Sequence, residues 1–283
     1  MNTLKTHFND FVTKISQIYE IEEAKNIAFL VFEHFLKISK IDILVNKTID
    51  INFDFVPIIF RLINHEPIQY IIGEADFYGL KFKVNETTLI PRNETEELVE
   101  LAIKKLRGAK NQDRKLKVLD IGTGSGCIAI SIAKNLDFVE ATAWDISEKA
   151  LETAIKNAQE NKVAVQFEKQ DILSFQSINT QIFDLIVSNP PYVTVSEKEG
   201  IRKNVKDFEP HLALFVEDTD PLVFYSSISK FALKNLTKNG ALIVEINEQF
   251  GNETKDCFLK DGFTFSEIVK DIHGKDRIVI ANV

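Results

Sequence analysis

The first quarter of the chain shows apolar residues at three- and four-residue spacing, which is the periodicity of amphipathic helices. The clearest positions are Phe8, Phe11, Val12, Ile15 and Ile18, followed by Ile27, Leu30, Val31, Phe35 and Leu36. A further helix is expected to run through Val56, Ile59, Phe60 and Leu62, with Asp50 or Asn52 as a candidate N-terminal cap. The pattern predicts a small helical bundle, which we place at residues 1–74.

After residue 74 the pattern changes from helical periodicity to short apolar runs. Phe77–Val84 carries Gly79 between two such runs, which suggests a β-hairpin, and we assign residues 75–90 to a hairpin linker. From Lys115 onward, strand candidates occur at Leu116–Ile121, Ala141–Trp144, Val163–Phe167, Phe183–Val187, Ala241–Ile246, Phe263–Val269 and Arg277–Ile280. Helical patterns lie between them, at Ile128–Ala133, Lys149–Asn161 and Leu222–Leu236. This alternation predicts right-handed βαβ units and a seven-stranded, mostly parallel α/β sheet within residues 91–283.

Composition narrows the classes of function. The 283 residues carry a formal net charge of −8, which argues against a broad face that neutralises nucleic-acid phosphates. No apolar run is long enough to span a membrane and the chain start lacks the features of a signal peptide, so we expect neither insertion nor export. Cys127 and Cys257 lie far apart without metal-ligand spacing, so we expect ordinary thiols and no metal site. A cytoplasmic enzyme acting on a protein or a small molecule fits this composition best.

A glycine cluster, Gly122–Gly126, follows the first strand candidate and opens a helix. Glycines allow a tight turn and close approach of a ligand, and the free amides at a helix start favour a carboxylate or phosphate. The spacing is G-x-G-x-G, not the G-x-G-x-x-G of dinucleotide-binding proteins. On its own the cluster is a weak indication, because such turns also occur for packing alone.

Acidic residues follow the next two strand candidates. Asp145 could accept hydrogen bonds from ribose hydroxyls, or merely cap the helix that begins near Ser147. The glycine turn half a βαβ unit earlier favours the ribose role. Asp171 could accept from an adenine amine, with Ile172 beside it as an adenine wall, or be an exposed loop acid. Trp144 is expected to pack at its strand end and could also flank the adenosine.

The segment Asn189-Pro190-Pro191-Tyr192 ends the fourth strand candidate. Two consecutive prolines remove two donors and fix two φ angles, which leaves a rigid corner with an Asn oxygen, a free main-chain carbonyl and an aromatic face. Two acceptors can hold both hydrogens of a planar NH₂ group, and these bonds improve as the nitrogen pyramidalises during transfer to an electrophile. A Pro-rich turn after a core strand is the simpler alternative. The position after a nucleoside-binding pattern favours the chemical role.

The sequence resembles the release factor glutamine methyltransferases of the PrmC/HemK family over nearly its whole length. Matching segments are Glu66–Gly73, Leu89–Glu96, the glycine cluster, Asn189–Tyr192, Glu209–Leu214 and Asp271–Arg277. The Asn-Pro-Pro-Tyr motif is shared with enzymes that methylate adenine in DNA or amines of RNA bases. The Pro91–Glu96 segment and the helical front half are more specific to this family.

The resemblance implies a Rossmann-like methyltransferase sheet. It also implies methyl transfer from S-adenosyl-L-methionine to the side-chain amide nitrogen (N5) of the glutamine in the Gly-Gly-Gln motif of peptide chain release factors, which modulates translation termination. The implied cofactor residues are Gly122, Thr123, Gly124, Ser125, Gly126, Asp145, Asp171, Ile172 and Asn189. The implied catalytic residues are Asn189, Pro190 and Tyr192, and the implied substrate pocket is Asn189, Pro190, Pro191 and Tyr192. We further expect a monomer whose residues 1–74 dock the release factor, with no stable nucleic-acid or membrane partner.

The chain departs from the family pattern at three places. Asn93 stands where Pro is usual, Asn247 where Gly is usual, and the stretch around Asp220 lacks a common Gly. These departures affect the expected loop geometry more than the chemistry. Arg92 and Glu94 could form a surface charge pair or close over the cofactor.

Two other functions remain open from the sequence. The first is a nucleic-acid methyltransferase that uses the same corner on an adenine or guanine amine, which the acidic charge disfavours. The second is a catalytically idle binding module, which the intact glycine cluster, Asp145 and Asn189 disfavour.

Overall fold

The computed structural model describes residues 3–110, 114–174 and 181–283. The chain divides into a helical unit, Met1–Gly73 with Arg202–Phe208, and a sheet unit, Glu74–Ile201 with Glu209–Val283. The helical unit thus takes in a short segment that the sequence pattern places with the sheet in residues 91–283. Met1 and Asn2 lie outside the described residues. They belong to the chain start for which the sequence predicts no signal peptide.

The secondary structure of the described residues is as follows. In chain order the α-helices are α1 (Leu4–Ile15), α2 (Ile21–Leu36), α3 (Lys40–Leu44), α4 (Val56–Ile63), α5 (Ile68–Ile72), α6 (Asn93–Gly108), α7 (Cys127–Asn135), α8 (Glu148–Glu160), α9 (Lys203–Lys206), α10 (Val223–Asn235) and α11 (Gly251–Asp261). The β-strands are β1 (Glu74–Phe77), β2 (Leu80–Lys83), β3 (Leu116–Ile121), β4 (Val139–Asp145), β5 (Val165–Lys169), β6 (Phe183–Ser188), β7 (Val193–Thr194), β8 (Phe215–Val216), β9 (Leu236–Glu245), β10 (Phe265–Lys270) and β11 (Asp276–Asn282). No helix in these ranges is both long enough and apolar enough to cross a membrane.

An aromatic core holds the helical unit together. The apolar stripes of α1 and α2 meet α4 in one buried cluster that includes Phe8, Phe11 and Phe32. The rings of Phe32 and Phe55 stack with centroids 5.0 Å apart, and such a pair contributes about 0.5–1.5 kcal/mol beyond the area it buries. The predicted helical bundle is therefore confirmed.

The cap predicted for α4 is wrong. The carboxylate that meets the first turn belongs to Asp54, whose Oδ1 accepts a hydrogen bond from the Val56 N–H at 2.9 Å. Pro57 stands in that first turn, where its fixed φ suits the helix and its missing N–H costs nothing. The helix therefore begins later than a cap at Asp50 or Asn52 would place it.

The sheet unit begins with the predicted hairpin and continues into the predicted sheet. β1 and β2 pair antiparallel around a turn in which Gly79 has φ +71°. The main sheet has seven strands in the order β10-β11-β9-β6-β3-β4-β5. β11 runs antiparallel to both neighbours and the other pairs are parallel. The fold class predicted from the sequence is confirmed.

The strand order creates a crevice in the sheet. The chain runs outward from β3 through β4 to β5 and then returns to β6 on the other side of β3. Side chains alternate along β3, so Val118 joins the cluster with α6 and α7, and Leu119 joins the cluster with α10. Ligands in such sheets bind outside the carboxyl ends of the strands where the order reverses, here between β3 and β6.

Among the described residues of the sheet unit, helices α6 and α11 were not predicted. No element was expected for α6, although Leu98, Ala102 and Leu106 form a buried stripe along it. The charged residues between these apolar positions, and the assignment of its first residues to a family segment, concealed the helical periodicity. The same is true of the largely polar α11, where Thr254 and Phe258 are the buried positions between charged residues.

Candidate active site

A cavity of about 360 Å³ lies at the carboxyl ends of β3, β4 and β6, within the size range of small-molecule sites. Residues singled out from the sequence that line it are Gly122, Gly124, Asp145, Asp171, Ile172, Asn189, Pro190 and Pro191. The other four, Thr123, Ser125, Gly126 and Tyr192, lie outside this lining. Part of the wall comes from segments to which sequence reasoning gave no site role, namely Thr87–Leu89, Pro210, Leu212 and Ala213.

The glycine loop after β3 is held by hydrogen bonds within the loop and to the end of β3. The Thr123 hydroxyl donates to Asp120 Oδ2 at 2.6 Å, and the Gly126 N–H donates to the Thr123 carbonyl at 2.8 Å. Both Thr123 and Ser125 are buried, and neither lines the cavity. Asp120 is also buried, and burial raises its pKa to about 7. Sequence reasoning gave this carboxylate no role.

Asn157 ties the glycine loop to the hairpin, and sequence reasoning missed it. Its Nδ2 donates to the Ser125 carbonyl at 2.8 Å and to the Lys83 carbonyl at 3.0 Å. Its Oδ1 accepts from the Lys83 N–H at 2.6 Å. Asn157 lies on the apolar stripe of α8, between Ala154 and Ala158. A lone amide at a core position of a helix is the signal that could have revealed it.

Asp145 ends β4 with its carboxylate held against the loop. Its Oδ2 accepts from the Gly124 N–H at 2.8 Å, and its Oδ1 accepts from the Ser147 N–H at 2.9 Å. Burial raises the pKa of Asp145 despite these donors. The cap of α8 is Ser147, whose Oγ accepts from the Ala150 N–H. Asp145 therefore borders the cavity and is not the helix cap that the alternative interpretation required.

Asp171 and Trp144 are arranged differently. Asp171 lines the cavity, but its two carboxylate oxygens accept from the Leu173 N–H and the Ser174 hydroxyl of its own turn. Trp144 is buried against Phe231, and its indole N–H donates to Glu168 at 3.1 Å. Its packing at the strand end is as expected, while the ring lies outside the cavity lining.

Asn189 enters a chain of hydrogen bonds directly after β6, of which the bond between Thr95 and Glu245 is fully buried. Its Nδ2 donates to Thr95 Oγ1 at 3.1 Å, and the Thr95 hydroxyl donates to Glu245 Oε2 at 2.7 Å. The Tyr192 hydroxyl donates to the other oxygen, Glu245 Oε1, at 3.0 Å. Burial raises the pKa of Glu245, and burial together with that carboxylate raises the pKa of Tyr192. Sequence reasoning identified Asn189 and Tyr192 but neither of their partners.

Arg92 has a different partner from the one considered. It donates to Glu209 Oε1, and Glu209 Oε2 accepts from the Ile90 N–H at 3.0 Å. The Glu209 side chain is fully buried. Since the cavity walls at Leu89 and Pro210 adjoin these residues, the pair joins the two walls. The interpretation of Arg92 and Glu94 as a surface charge pair is therefore wrong.

The departure at Asn247 has a structural role. Its Nδ2 donates to Glu197 Oε2 at 2.9 Å and to the Tyr192 carbonyl at 3.2 Å. Its Oδ1 accepts from the Gln249 N–H at 3.0 Å. The side chain thereby anchors the segment that follows the Asn-Pro-Pro-Tyr corner. Asn93 opens α6, and the Asp220 N–H closes a turn on the Glu217 carbonyl.

Two protein families match segments of the chain. Residues 9–73 match the family described as PrmC N-terminal domain, and residues 99–206 match the family described as methyltransferase small domain. The chain is 45% identical over 286 residues to a release factor glutamine methyltransferase of Flavobacterium psychrophilum, covering 99% of each chain. It is 44% identical over 272 residues to one of Bacteroides thetaiotaomicron, covering 95% of this chain and 96% of the relative.

Solved structures share the fold at low sequence identity. A methyltransferase from Pyrococcus furiosus aligns with a TM-score of 0.51 at 18% identity, covering 73% of this chain and 91% of its own. The hMettl16 catalytic domain aligns with a TM-score of 0.56 at 16% identity, covering 72% of this chain and 76% of its own. At such identities the likeness concerns the fold alone.

Proposed function

Because the chain belongs to the release factor glutamine methyltransferase family, we propose that it methylates the N5 side-chain amide of the glutamine in the Gly-Gly-Gln motif of peptide chain release factors. Membership of this family identifies the chain as an S-adenosylmethionine-dependent methyltransferase. The observation that carries a planar NH₂ group as the acceptor is Asn189, which lines the cavity and whose own NH₂ group donates to Thr95. The choice of a release factor glutamine rests on the family.

The residues around the cavity fit S-adenosylmethionine. A Cβ atom added to Gly122 or Gly124 would meet nothing within 4 Å, so the backbone there borders open space that a ligand can approach. Asp145 stands at the end of β4, where its carboxylate can accept from ribose hydroxyls. Asp171 and Ile172 line the cavity near the adenine position that the family likeness implies. The backbone of Gly122–Gly126 would hold the methionine end, with Thr123, Ser125 and Gly126 shaping the loop from behind.

The corner after β6 would hold the substrate amide. Asn189 Oδ1 and the Pro190 carbonyl accept its two hydrogens, while Pro191 and Tyr192 complete the pocket. The cofactor supplies the electrophilic methyl group. The amide nitrogen held by these residues would accept that methyl group and release one proton to solvent, and the demethylated cofactor would leave as S-adenosylhomocysteine. Two fixed acceptors hold the nitrogen in the reactive orientation and strengthen as it pyramidalises.

We assign a separate function to each of three segments of the chain. Residues 1–74 dock the release factor, residues 75–90 form the hairpin linker, and residues 91–283 bind the cofactor and perform the transfer. We place the enzyme in the cytoplasm as a monomer, without a stable nucleic-acid partner. Light scattering after size exclusion checks the monomer, and a dimeric mass contradicts it.

The decisive experiment supplies S-adenosylmethionine labelled in its methyl group together with a release factor, DNA or RNA. We expect label in the release factor only, mapped by mass spectrometry to the Gly-Gly-Gln glutamine and absent when that glutamine is replaced by alanine. Label that enters nucleic acid alone overturns the proposal and supports the methylation of a base amine. Absence of cofactor binding in calorimetry would instead indicate an idle binding module.

Asn189→Ala tests the role of the corner. We expect kcat to fall by about 100-fold, since removing one oriented hydrogen-bonding group from a reacting centre has effects of that order. The Kd for S-adenosylhomocysteine should stay within about threefold of wild type, because the amide oxygen serves the substrate. Asn252→Ala, an exposed position on α11, is the matched control and should behave as wild type. A large loss of cofactor affinity with unchanged kcat would contradict the assignment.

A further inference from the structure

We propose that Thr95 and Glu245 are positioning residues that fix the direction of the Asn189 amide, so that its oxygen and not its NH₂ group faces the reacting nitrogen. The proposal rests on the function proposed above and extends it to two residues at the start of α6 and the end of β9. It concerns hydrogen-bond direction, which the sequence motif alone does not specify.

The direction follows from the chemistry of the carboxylate. Burial raises the pKa of Glu245, but the positive charge of Arg277 and the hydroxyls of Thr95 and Tyr192 act against that shift and favour the ionised carboxylate. An ionised carboxylate only accepts hydrogen bonds, so the Thr95 and Tyr192 hydroxyls donate to Glu245. A hydroxyl has a single proton, and that of Thr95 is thereby used. Thr95 Oγ1 can then only accept from Asn189, 3.1 Å away. The Asn189 NH₂ group therefore faces Thr95, and its oxygen faces the other way.

Burial makes this direction strict. Thr95 and Glu245 are each 1% exposed, so bulk water cannot replace a missing partner in the relay. A reversed Asn189 amide would set its Oδ1 against Thr95 Oγ1, two acceptors at hydrogen-bonding distance in a medium that screens poorly. The reversed amide would also present an NH₂ group to a substrate NH₂ group, and no hydrogen bond can form between two donors. Since the terminal torsion of Asn is broad, only its partners select one orientation.

Thr95→Val removes the hydroxyl while keeping the shape of the side chain. We expect kcat with a release factor to fall by about 30-fold, with the Kd for S-adenosylhomocysteine within twofold of wild type. Thr95→Ser restores the hydroxyl and should recover kcat to within about fivefold of wild type. The matched control is Thr254→Val, which also removes a buried hydroxyl but lies on α11 and has no hydrogen-bond partner within the described residues. It should leave kcat unchanged.

Substitutions of Glu245 separate the acceptor from the charge. Glu245→Gln keeps an oxygen for the Thr95 proton and should retain kcat within about fivefold, whereas Glu245→Met has no such oxygen and should lose about as much as Thr95→Val. The double variant Thr95→Val/Glu245→Met should lose no more than either single change, because both interrupt the same relay. Losses that multiply in the double variant indicate two independent structural defects and overturn the proposal. So does a kcat of Thr95→Val equal to wild type, or a Thr95→Ser variant no better than Thr95→Val.

A second measurement does not depend on activity. In amide hydrogen exchange by NMR, the Asn189 side-chain NH₂ protons should exchange at least tenfold faster in Thr95→Val than in wild type, and at the wild-type rate in Thr254→Val. Equal exchange in wild type and Thr95→Val refutes the positioning role, whatever the substrate. If Thr95→Val exchanges faster than wild type but the wild-type protein methylates no release factor, only the proposed function is refuted.

Discussion

Replacing Asn157 by alanine tests how the glycine loop is held in place. The side chain is completely buried and makes three hydrogen bonds, two with the Lys83 backbone and one with the Ser125 carbonyl. Each bond contributes about 1 kcal/mol net, and a buried carbonyl left without a donor costs about 1–3 kcal/mol. We therefore expect Asn157→Ala to lower the free energy of unfolding by about 3–5 kcal/mol.

The matched control lies one turn later along the chain. Asn161 also bonds two backbone carbonyls, those of Lys81 and Asn157, at 2.9 Å each, but its bond to Lys81 is exposed to solvent. Water can replace that bond, so Asn161→Ala should cost only about 1 kcal/mol. Urea denaturation of wild type and both variants, followed by circular dichroism, measures the difference.

The same change should reach the cofactor site. Because the Ser125 carbonyl belongs to the glycine loop, we expect Asn157→Ala to raise the Kd for S-adenosylhomocysteine by about tenfold, equivalent to about 1.4 kcal/mol. Calorimetry at a temperature where the variant is folded measures this, and Asn161→Ala should bind as wild type. Equal losses of stability in the two variants would refute the accounting by buried hydrogen bonds. Unchanged cofactor affinity in Asn157→Ala would refute the link to the loop.

Two further predictions concern the same loop. Gly126 has φ +83°, and an added Cβ would lie 2.8 Å from Ile130 Cδ1, so Gly126→Ala should cost about 2–4 kcal/mol from strain and overpacking. Gly79 has φ +71° but no atom within 4 Å of an added Cβ, so Gly79→Ala measures the backbone strain without overpacking. It should cost about 1–2 kcal/mol in the same denaturation assay, and equal losses of stability in Gly79→Ala and Gly126→Ala would contradict the packing argument. Burial raises the pKa of Asp120 to about 7, so its contribution to stability is present below its ordinary pKa and is lost as pH rises through about 7. Relative to Asp120→Asn, wild type should lose about 2–3 kcal/mol between pH 5 and pH 8, and a pH-independent difference between their urea midpoints would exclude this titration.

Much of the fold could be predicted because the strands of a buried parallel sheet are nearly continuous apolar runs. The strand predicted at Leu116–Ile121 has those same bounds in the structure. The strand predicted from Ala241 begins earlier, at Leu236, which pairs with Phe183. A register shift separates this pair from the pairing of Ala241 with Leu185, and the polar residues between Leu236 and Ala241 interrupt the apolar run. Helix α6 escaped prediction, since its apolar stripe is interrupted by charges that face solvent.

The positions of the chemical groups follow from local sequence. The glycine cluster and the Asn-Pro-Pro-Tyr corner each end a buried strand. Glycines allow a tight turn, and prolines lack the N–H that a strand needs for pairing, so both groups lie at strand ends. The partners of those groups do not follow from local sequence. Asn189 bonds to the hydroxyl of Thr95, 94 residues earlier in the chain, and that hydroxyl bonds to the carboxylate of Glu245, 150 residues after Thr95. Such pairs leave no periodic trace in the sequence. Folding brings them together, and we propose that a single proton on Thr95 then determines which atom of Asn189 faces the substrate.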